Sequence, residues 1–425
     1  MSIEYRIGDV FERLAEIPDN SIDLIVTSPP FLALRSYLPD DHEHKHLEIG
    51  SEPTPAEFID TLLTLTAEWG RVLAPHGSLC VELGDTFSGG NTVTLKAQDR
   101  PQDGGYDYMH PDRVKREGFG HNSVTGIRNM DDKHQGGGDG WPLAKSMTGI
   151  PTLYPWSLAY GRNLLTGTDS PAGLWRIRNV IVWARPNPPV GALGDKFRPA
   201  TSYITVACKS AKRYFDLDAV RGNPATADTT SNLGVVNKRE SARVEVGLSS
   251  GAGWKGENPA GAPPLDWHTD NHPEDGDWLW KLSTQPYKGS HYATFPMALP
   301  KRLIEAMCPQ RVCLVCGVPS TRIVESEIVG DYADNPQWME HRERSQGGGL
   351  AGPGGNTRRH STTLGWSDCG HNNYRTGITL DPVAGSGTTL DAAQAVGRHA
   401  IGIDLDERNA ELARNRVGMF MDIIL

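Results

Sequence analysis

The segment LDPVAGSGTT, Leu380 to Thr389, combines an acid, two glycines and several hydroxyls at the end of a predicted strand. The strand ends at Asp381, and the chain then turns through residues 385–387, Gly-Ser-Gly, into a predicted helix. Glycines let a backbone approach a bound molecule closely, and the free N–H groups at a helix start favour an anionic group. The next strand, HAIGID, ends at Asp404, where a carboxylate can accept hydrogen bonds from ribose hydroxyls. These features predict a site for a nucleoside cofactor.

The same loop excludes two common phosphate-binding motifs. It lacks the Gly-Lys-Ser/Thr of a Walker loop, and Leu390 stands where the third glycine of a dinucleotide-binding G-x-G-x-x-G is required, which disfavours NAD. A lone Gly-x-Gly is commonly only a tight turn. The acids at both strand ends favour the cofactor interpretation here.

The segment TSPPF ends the first strongly apolar strand, SIDLIVTS, with two prolines. Because Pro29 and Pro30 have no N–H, carbonyl groups and not donors face a pocket at this point. The Ser28 hydroxyl and the Pro29 carbonyl can then accept the two hydrogens of an amine, and Phe31 can stack on a ring. Alone the segment fits an ordinary strand-ending turn, but its pairing with the cofactor loop favours a catalytic role.

A third group of residues has the types and spacing of a metal site. Cys313-x-x-Cys316-Gly is followed by Cys369-Gly-His371, which predicts a structural zinc ion held by three thiolates and one imidazole. Free thiols beside a surface histidine are the alternative, and Cys308 competes with His371 as the fourth ligand. Four protein ligands leave no open position, so we predict no catalytic role for the ion.

Composition sets the class of protein. The chain has 425 residues, is 38% hydrophobic and 22% charged, and carries a formal net charge of -10. These values fit a globular protein and argue against wholesale wrapping of nucleic acid. No run reaches the roughly 18 apolar residues of a membrane span, and the N-terminus lacks signal-peptide features, so we expect a cytoplasmic protein with no membrane association.

Two α/β blocks must position these residues. Near the N-terminus we predict a strand at EYRIGD, a helix at VFERLAEIP and the strand SIDLIVTS. A capping box of Thr54 and Glu57 starts a helix that runs to about Val72, residues 75–77 form a turn, and SLCVELGD is a strand. The C-terminal block reads strand, loop, helix, strand, helix. Together with strands at LWRIRNVIVWARPNPP and SYITVACKSAKRYFD, the blocks predict a mostly parallel sheet with helices on both faces.

TSPPF, followed far downstream by DPVAGSGTT and IGID, resembles the site-specific DNA amino-methyltransferases, and this motif order resembles the family's beta group. The resemblance implies a Rossmann-like α/β fold that binds S-adenosylmethionine. It further implies methyl transfer to the exocyclic amino group of a flipped base in double-stranded DNA. Gly8-Asp9 resembles the element that holds the cofactor's adenine, and HYATFPMALPKRLIEA resembles the helix near the methionine end. Val383 departs from the family's usual Phe, and Phe295-Pro296 replaces Lys-Pro.

The implied site residues follow from these matches. The catalytic residues are Ser28, Pro29, Pro30 and Phe31. The cofactor-binding residues are Asp9, His291, Thr294, Phe295, Asp381, Pro382, Ala384, Gly385, Ser386, Gly387, Thr388, Thr389 and Asp404.

We divide the chain into seven segments. They are an N-terminal catalytic half at 1–87, a Gly-rich insertion at 88–150, further sheet strands at 151–220, a candidate target-recognition region at 221–282, a cofactor-side helix at 283–312, a zinc-knuckle insertion at 313–371 and an S-adenosylmethionine-binding half at 372–425. Residues 88–140, 221–277 and 330–363 look irregular, and tryptophans between 254 and 280 favour core packing over DNA contact.

Several alternatives stay open. Ser-Pro-Pro-Phe favours cytosine N4 in the resembled family, with adenine N6 second. The other candidates are a methyltransferase acting on RNA or a protein amide, and a non-catalytic zinc-containing module that binds nucleic acid. Expected partners are double-stranded DNA, a second copy of the chain in a homodimer, and a cognate restriction endonuclease.

Overall fold

The computed structural model describes only part of the chain. The described residues are 2–34, 36–39, 41–88, 140–186, 188, 196–220, 280, 282–283, 295–329, 358–418 and 421–424. His291, Thr294, most of the Gly-rich insertion and most of the candidate target-recognition region therefore lie outside the described residues.

The described residues form one eight-stranded sheet, two small two-stranded sheets and six α-helices. The strands are β1 (Ile3–Ile7), β2 (Ile22–Thr27), β3 (Leu73–Leu83), β4 (Arg176–Ala184), β5 (Thr201–Cys208), β6 (Val312–Cys313), β7 (Arg322–Val329), β8 (Arg358–Trp366), β9 (Tyr374–Arg375), β10 (Ile378–Asp381), β11 (His399–Asp404) and β12 (Met421–Ile424). The helices are α1 (Val10–Ala15), α2 (Pro55–Val72), α3 (Ile150–Tyr160), α4 (Ala298–Met307), α5 (Thr388–Ala395) and α6 (Arg408–Val417).

The large sheet has the strand order β12-β1-β11-β10-β2-β3-β5-β4. All neighbouring pairs from β12 to β3 are parallel, and β5 runs antiparallel to both β3 and β4. The predicted mostly parallel α/β sheet is therefore confirmed. The strands β2 and β10 are neighbours, with Leu24 opposite Thr379 and Ile25 opposite Leu380. This pairing joins the two ends of the chain in the middle of the sheet.

Apolar side chains cover both faces of the sheet, as its central strands require. Every residue of β2 is buried. Leu24 and Val26 belong to the cluster that includes side chains of α4, α5 and α6, whereas Ile22 and Ile25 belong to the cluster formed with α1, α2 and α3. Such two-sided burial is typical of parallel strands between helical layers. This packing on both faces fixes the position of the end of β2.

The helix α2 begins where the capping box predicts. The Thr54 hydroxyl accepts a hydrogen bond from the Glu57 N–H at 3.2 Å, and Pro55 occupies the first helical position. Both features satisfy or remove backbone donors that a helix start leaves unpaired. The helix then buries Phe58, Leu62 and Trp69 against the sheet.

Three local expectations differ from the structure. The predicted turn at 75–77 lies inside β3 as an irregularity, because Ile22 pairs with Leu73 while Leu24 pairs with Ser78. Residues 358–363, expected to be irregular, belong to β8, which pairs with β7 in an antiparallel ribbon. The segment 151–220 contains α3 as well as strands. Pro155 lies inside α3. Because proline usually ends or kinks a helix, the sequence pattern does not predict a helix at this place.

Two further features concern single elements. Trp280 is buried in the core with the Arg302 guanidinium over its ring, so packing is confirmed for this tryptophan. Among the described residues, none of the helices is both long and apolar enough to cross a membrane.

Candidate active site

The predicted catalytic and cofactor segments meet at the carboxyl edge of the parallel strands. Ser28 follows β2, and Asp381 ends the neighbouring β10. The Thr389 hydroxyl donates to Asp381 Oδ2 at 2.6 Å and lies 3.5 Å from the Val26 carbonyl oxygen, across 363 residues of sequence. Ligands of open α/β sheets bind at this edge. The two segments therefore form one site.

Ser28 has a partner that the sequence motif did not reveal. Its hydroxyl donates a hydrogen bond to Glu82 Oε2 at 2.5 Å. Glu82 lies near the end of β3 and is 4% exposed. Burial raises the pKa of this carboxyl above its usual range, opposed by the hydrogen bond from Ser28 and the charge of Arg185. With its hydrogen committed to Glu82, the Ser28 oxygen has lone pairs free to accept from another group.

Phe31 is held beside this pair by two glycines. A Cβ at Gly84 would lie 2.5 Å from Phe31 Cε2, so the ring packs directly on the backbone after β3. Gly50 has a φ of 90°, and a Cβ there would lie 3.0 Å from the Phe31 carbonyl oxygen. The Ala33 N–H also donates to the Gly50 carbonyl at 2.8 Å. The loop after Ser28 is therefore fixed by close backbone contacts that only glycine allows.

The cofactor loop has the predicted tight geometry. Gly385 and Gly387 have φ values of 50° and 76°, a conformation that favours glycine. The buried Tyr5 hydroxyl donates to the Gly385 carbonyl at 2.7 Å and fixes the loop from β1. The Ser386 hydroxyl is buried and, within the described residues, makes no hydrogen bond. A buried hydroxyl without a partner is costly, and a polar ligand in the loop would satisfy it.

Asp404 holds the loop through a network of its own. Its Oδ2 accepts from the Gly385 N–H at 2.7 Å, and its Oδ1 accepts from the Asp406 N–H at 2.9 Å and from Asn409 Nδ2 at 3.0 Å. A carboxylate offers about four acceptor positions, so one position stays available to a ribose hydroxyl.

The site carries buried negative charge. Burial raises the pKa of Asp381 to about 6 and that of Asp404 to about 6, and each carboxylate is further disfavoured by a neighbouring aspartate. Two buried carboxylates at the ends of adjacent strands are complementary to a cationic ligand that also brings hydroxyls. S-adenosylmethionine has a sulfonium, an ammonium and ribose hydroxyls. The residues present therefore fit this cofactor.

The other predicted cofactor residues that the structure describes lie at the start of α1, before α4, and in the loop or at the start of α5. Asp9 caps α1 by accepting from the Phe11 N–H at 2.9 Å, and Gly8 before it donates to the Asp404 carbonyl at 2.9 Å. Phe295 packs against the core before α4. The loop and the start of α5 contain the remaining described members, Pro382, Ala384, Thr388 and Thr389.

The predicted metal ligands also come together, at a different place. Cys313, Cys316, Cys369 and His371 offer ligand atoms that all lie within 4.8 Å of one another. We call these four residues the Cys3His cluster. Cys308 is fully buried elsewhere in the core, so the geometry favours His371 as the fourth ligand.

The motifs missed four residues that shape the site: Glu82, Gly84, Tyr5 and Asn409. A charged residue in the apolar stretch SLCVELGD was the one available signal, since an acid is rarely buried without a partner. The contacts of the other three depend on the tertiary fold.

Comparison with known proteins identifies the family. A family model described as DNA methylase, for N6/N4 methyltransferases, matches residues 22–315 and 371–415. Type II methyltransferase M.Cfr9I of Citrobacter freundii is 26% identical over 292 residues, which cover 69% of this chain and 68% of that protein. Type II methyltransferase M.SmaI of Serratia marcescens is 21% identical over 411 residues, covering 97% and 89%.

A solved structure titled PvuII DNA methyltransferase (cytosine-N4-specific) aligns with 99% of this chain and 95% of its own, at 14% identity and a TM-score of 0.44. The family match spans both the predicted catalytic segment after β2 and the predicted cofactor loop after β10, the two parts that the sheet brings together. The chain therefore belongs to the N6/N4 family of S-adenosylmethionine-dependent DNA amino-methyltransferases.

Proposed function

We propose that this DNA amino-methyltransferase methylates N4 of a cytosine flipped out of double-stranded DNA. The observation that carries methyl transfer to an exocyclic amine is the Ser28–Glu82 pair at the end of β2, with its 2.5 Å hydrogen bond; the choice of cytosine rests on the form of the motif. Ser-Pro-Pro-Phe is the form of the motif that the family associates with cytosine N4. The amine of adenine N6 presents the same two hydrogens and is the second candidate.

The chemistry requires acceptors aimed at the amine. The lone pair of an exocyclic amine is delocalised into the ring, so the nitrogen must be drawn toward a tetrahedral geometry before it attacks. The Ser28 oxygen and the Pro29 carbonyl accept its two hydrogens, and Phe31 supports the extruded ring. S-adenosylmethionine, when bound, supplies an electrophilic methyl group.

Glu82 has two roles in the proposed reaction. In the resting site it orients the Ser28 hydroxyl so that the serine lone pairs face the amine. After transfer the nitrogen carries one proton too many; the Ser28 oxygen can take that proton as its own hydroxyl proton moves to Glu82, which leaves a neutral amine, a neutral serine and a protonated Glu82. The raised pKa of Glu82 suits a group that takes up a proton. The Arg185 charge near Glu82 limits that rise.

The cofactor side needs a loop that does not move during transfer. Tyr5 and Asp404 tie Gly385 through its carbonyl and its N–H, respectively. A cofactor bound by this loop would present its methyl group toward the sheet edge where Ser28 lies. Such preorganisation of reacting groups accounts for a large part of catalysis by proximity.

Target choice and biological context extend the proposal. We assign recognition of the DNA sequence to residues 221–282, with residues 88–150 second, because the large sheet and its helices account for most of the chain outside these two segments and the zinc-knuckle insertion. The relatives are named Type II methyltransferases, which supports a role in protecting host DNA beside a cognate endonuclease.

Transfer from methyl-labelled S-adenosylmethionine to duplex DNA, RNA and protein tests the substrate class. We expect label in duplex DNA with the wild type and strongly reduced label with Ser28→Ala, while calorimetry shows unchanged cofactor binding. Equal loss of cofactor binding and transfer would contradict the role of Ser28. Label in RNA or protein alone would contradict the DNA substrate.

Modification-sensitive sequencing of DNA from a host that expresses the protein then reports the modified base and its recognition sequence. A single short sequence carrying modified cytosine is the expected result. Modified adenine would favour the second candidate.

A further inference from the structure

We propose that the Cys3His cluster binds one structural zinc ion at the edge of the sheet opposite the reaction site, where the ion ties the β7–β8 ribbon to the catalytic core. This metal site is separate from methyl transfer, so its test does not depend on the proposed target base.

The distances inside the cluster are those of a tetrahedral zinc site. Zn–S bonds of about 2.3 Å separate two sulfurs by about 3.8 Å, and Zn–N bonds of about 2.0 Å place sulfur and nitrogen about 3.5 Å apart. The Sγ atoms of Cys316 and Cys369 lie 3.7 Å apart. His371 Nδ1 lies 3.5 Å from Cys313 Sγ and 3.4 Å from Cys369 Sγ. Three thiolates and one imidazole are ligands that favour zinc.

The backbone around the first two cysteines has the form of a metal knuckle. The Val315 N–H points to Cys313 Sγ at 3.4 Å, and the Gly317 N–H donates to the Cys313 carbonyl at 2.9 Å. Gly317 has a φ of 69°, which lets the chain turn sharply after Cys316. N–H groups aimed at sulfur stabilise a thiolate.

The second half of the cluster is equally supported. Gly370 has a φ of 86°, and its N–H donates to Asp368 Oδ1 at 2.7 Å. The Tyr374 hydroxyl donates to the same Asp368 oxygen at 2.5 Å and accepts from the Cys369 N–H at 3.2 Å. The Arg311 guanidinium lies 4.1 Å from the centre of the Tyr374 ring. Groups of this kind around the ligands orient them for a metal.

The position of the cluster indicates a structural role. Cys313 in β6 pairs with Tyr374 in β9, and the next residue, Arg375, forms an ion pair with Asp23 at the start of β2. Asp23 and Ser28 lie at opposite ends of that strand, about 16 Å apart at roughly 3.3 Å per residue. Four protein ligands leave no open coordination position. The ion therefore cannot take part in methyl transfer.

The ion would close a large loop. Cys316 and Cys369 are 53 residues apart in sequence, and β7 and β8 lie between them. The base of this ribbon is held to the rest of the protein by Arg322, which pairs with the buried Asp216 at 2.7 Å. Closing a long loop restricts the unfolded chain, so zinc should stabilise the fold as well as fix the ribbon.

Metal analysis of the full-length wild type is the first test. We expect one zinc per chain in protein purified under reducing conditions, and the visible absorption of a tetrahedral thiolate site after exchange for Co²⁺. Metal-free protein whose four ligands stay reactive would overturn the proposal. A disulfide between Cys316 and Cys369 in place of zinc would overturn it as well.

Variants test the ligand set. Because Cys316 and Cys369 are exposed, Cys316→Ser and Cys369→Ser should fold and lose stoichiometric zinc. His371→Cys should keep zinc, since a fourth thiolate replaces the imidazole. Cys208→Ala, which removes a buried thiol outside the cluster, is the matched control and should keep one equivalent. A full equivalent of zinc in Cys369→Ser, with the wild-type Co²⁺ spectrum, would contradict the assignment.

Stability supplies a readout that does not depend on activity. Chelation should lower the melting temperature of the wild type and of Cys208→Ala but leave that of Cys369→Ser unchanged. A melting temperature of the wild type that does not respond to zinc removal would contradict the structural role.

Discussion

Ser28 and Glu82 are predicted to act as one unit in catalysis, and a double-mutant cycle tests this. Ser28→Ala removes an acceptor of an amine hydrogen. Loss of one preorganised contact of this kind lowers kcat by a factor of about 10²–10³. Glu82→Gln weakens the 2.5 Å hydrogen bond and lets an amide N–H occupy the serine lone pair that the amine needs. Hydrogen bonds to charged groups contribute about 1.5–3 kcal/mol, which corresponds to roughly a 10- to 150-fold loss.

The double variant separates coupled from independent roles. Independent roles would multiply, giving a loss of about 10³–10⁵. If Glu82 acts only through Ser28, the double variant should be about as slow as Ser28→Ala alone, so the coupling energy would equal the effect of Glu82→Gln, about 1.5–3 kcal/mol.

Single-turnover transfer of labelled methyl groups to duplex DNA gives the rates, with cofactor affinity measured by calorimetry for each variant. Asp216→Asn is the matched control, because Asp216 is also a buried acid but pairs with Arg322 away from the reaction site. It should lower stability and leave the rate unchanged. Multiplicative losses, or a wild-type rate in Glu82→Gln, would refute the coupling.

Three further predictions concern the aromatic contact, the cofactor charge and the core. Gly84→Val should displace the ring of Phe31, because a Cβ there lies 2.5 Å from Cε2, and should lower the single-turnover rate at least tenfold while calorimetry shows unchanged cofactor affinity. Affinity for S-adenosylmethionine should fall as pH drops through about 6. The raised pKa values of Asp381 and Asp404 mean that both carboxylates lose their negative charge in this pH range. Arg375→Ala should cost about 1.5–3 kcal/mol in urea unfolding at pH 7, because it removes one charged partner of the buried Asp23, which keeps His76 and the Ile378 N–H.

Each of these has an outcome that contradicts it. A normal rate in Gly84→Val would mean that Phe31 does not need its present position. A cofactor affinity that is flat between pH 5 and 8 would contradict the charge complementarity; Asp404→Asn should show a weaker pH dependence than the wild type. For Asp23, partners lower the pKa, so its stabilisation is present above the unfolded pKa and is lost as pH falls through the folded value. Equal acid sensitivity of Arg375→Ala and wild type would contradict this linkage.

The sequence predicts the framework well because its signals are local. Asp381 and Asp404 stand at strand ends that apolar runs and glycines mark clearly, and the capping box at Thr54 marks the start of α2. The grouping of the four residues of the Cys3His cluster was predictable because two short motifs with fixed spacing carry all four of them.

Other parts depend on contacts between residues far apart in sequence, which local patterns do not pair. Glu82, the partner of Ser28, is 54 positions away on the adjacent strand. The pairing of β2 with β10 brings together opposite ends of the chain. The prediction of a turn at 75–77 was wrong. Pro and Gly are common in turns, but here they lie within β3, where they interrupt its pairing with β2. The short β12 was not predicted, since its four residues show no distinctive pattern and it is stabilised by pairing with β1.

We propose that the site at the ends of β2 and β10 methylates cytosine N4 through Ser28. Mass spectrometry of nucleosides from duplex DNA, treated with the purified protein and deuterated-methyl S-adenosylmethionine, tests it most directly. We expect labelled N4-methyldeoxycytidine with the wild type and a loss of about 10²-fold or more with Ser28→Ala. Label in N6-methyldeoxyadenosine, or an undiminished yield of labelled cytidine with Ser28→Ala, would contradict it.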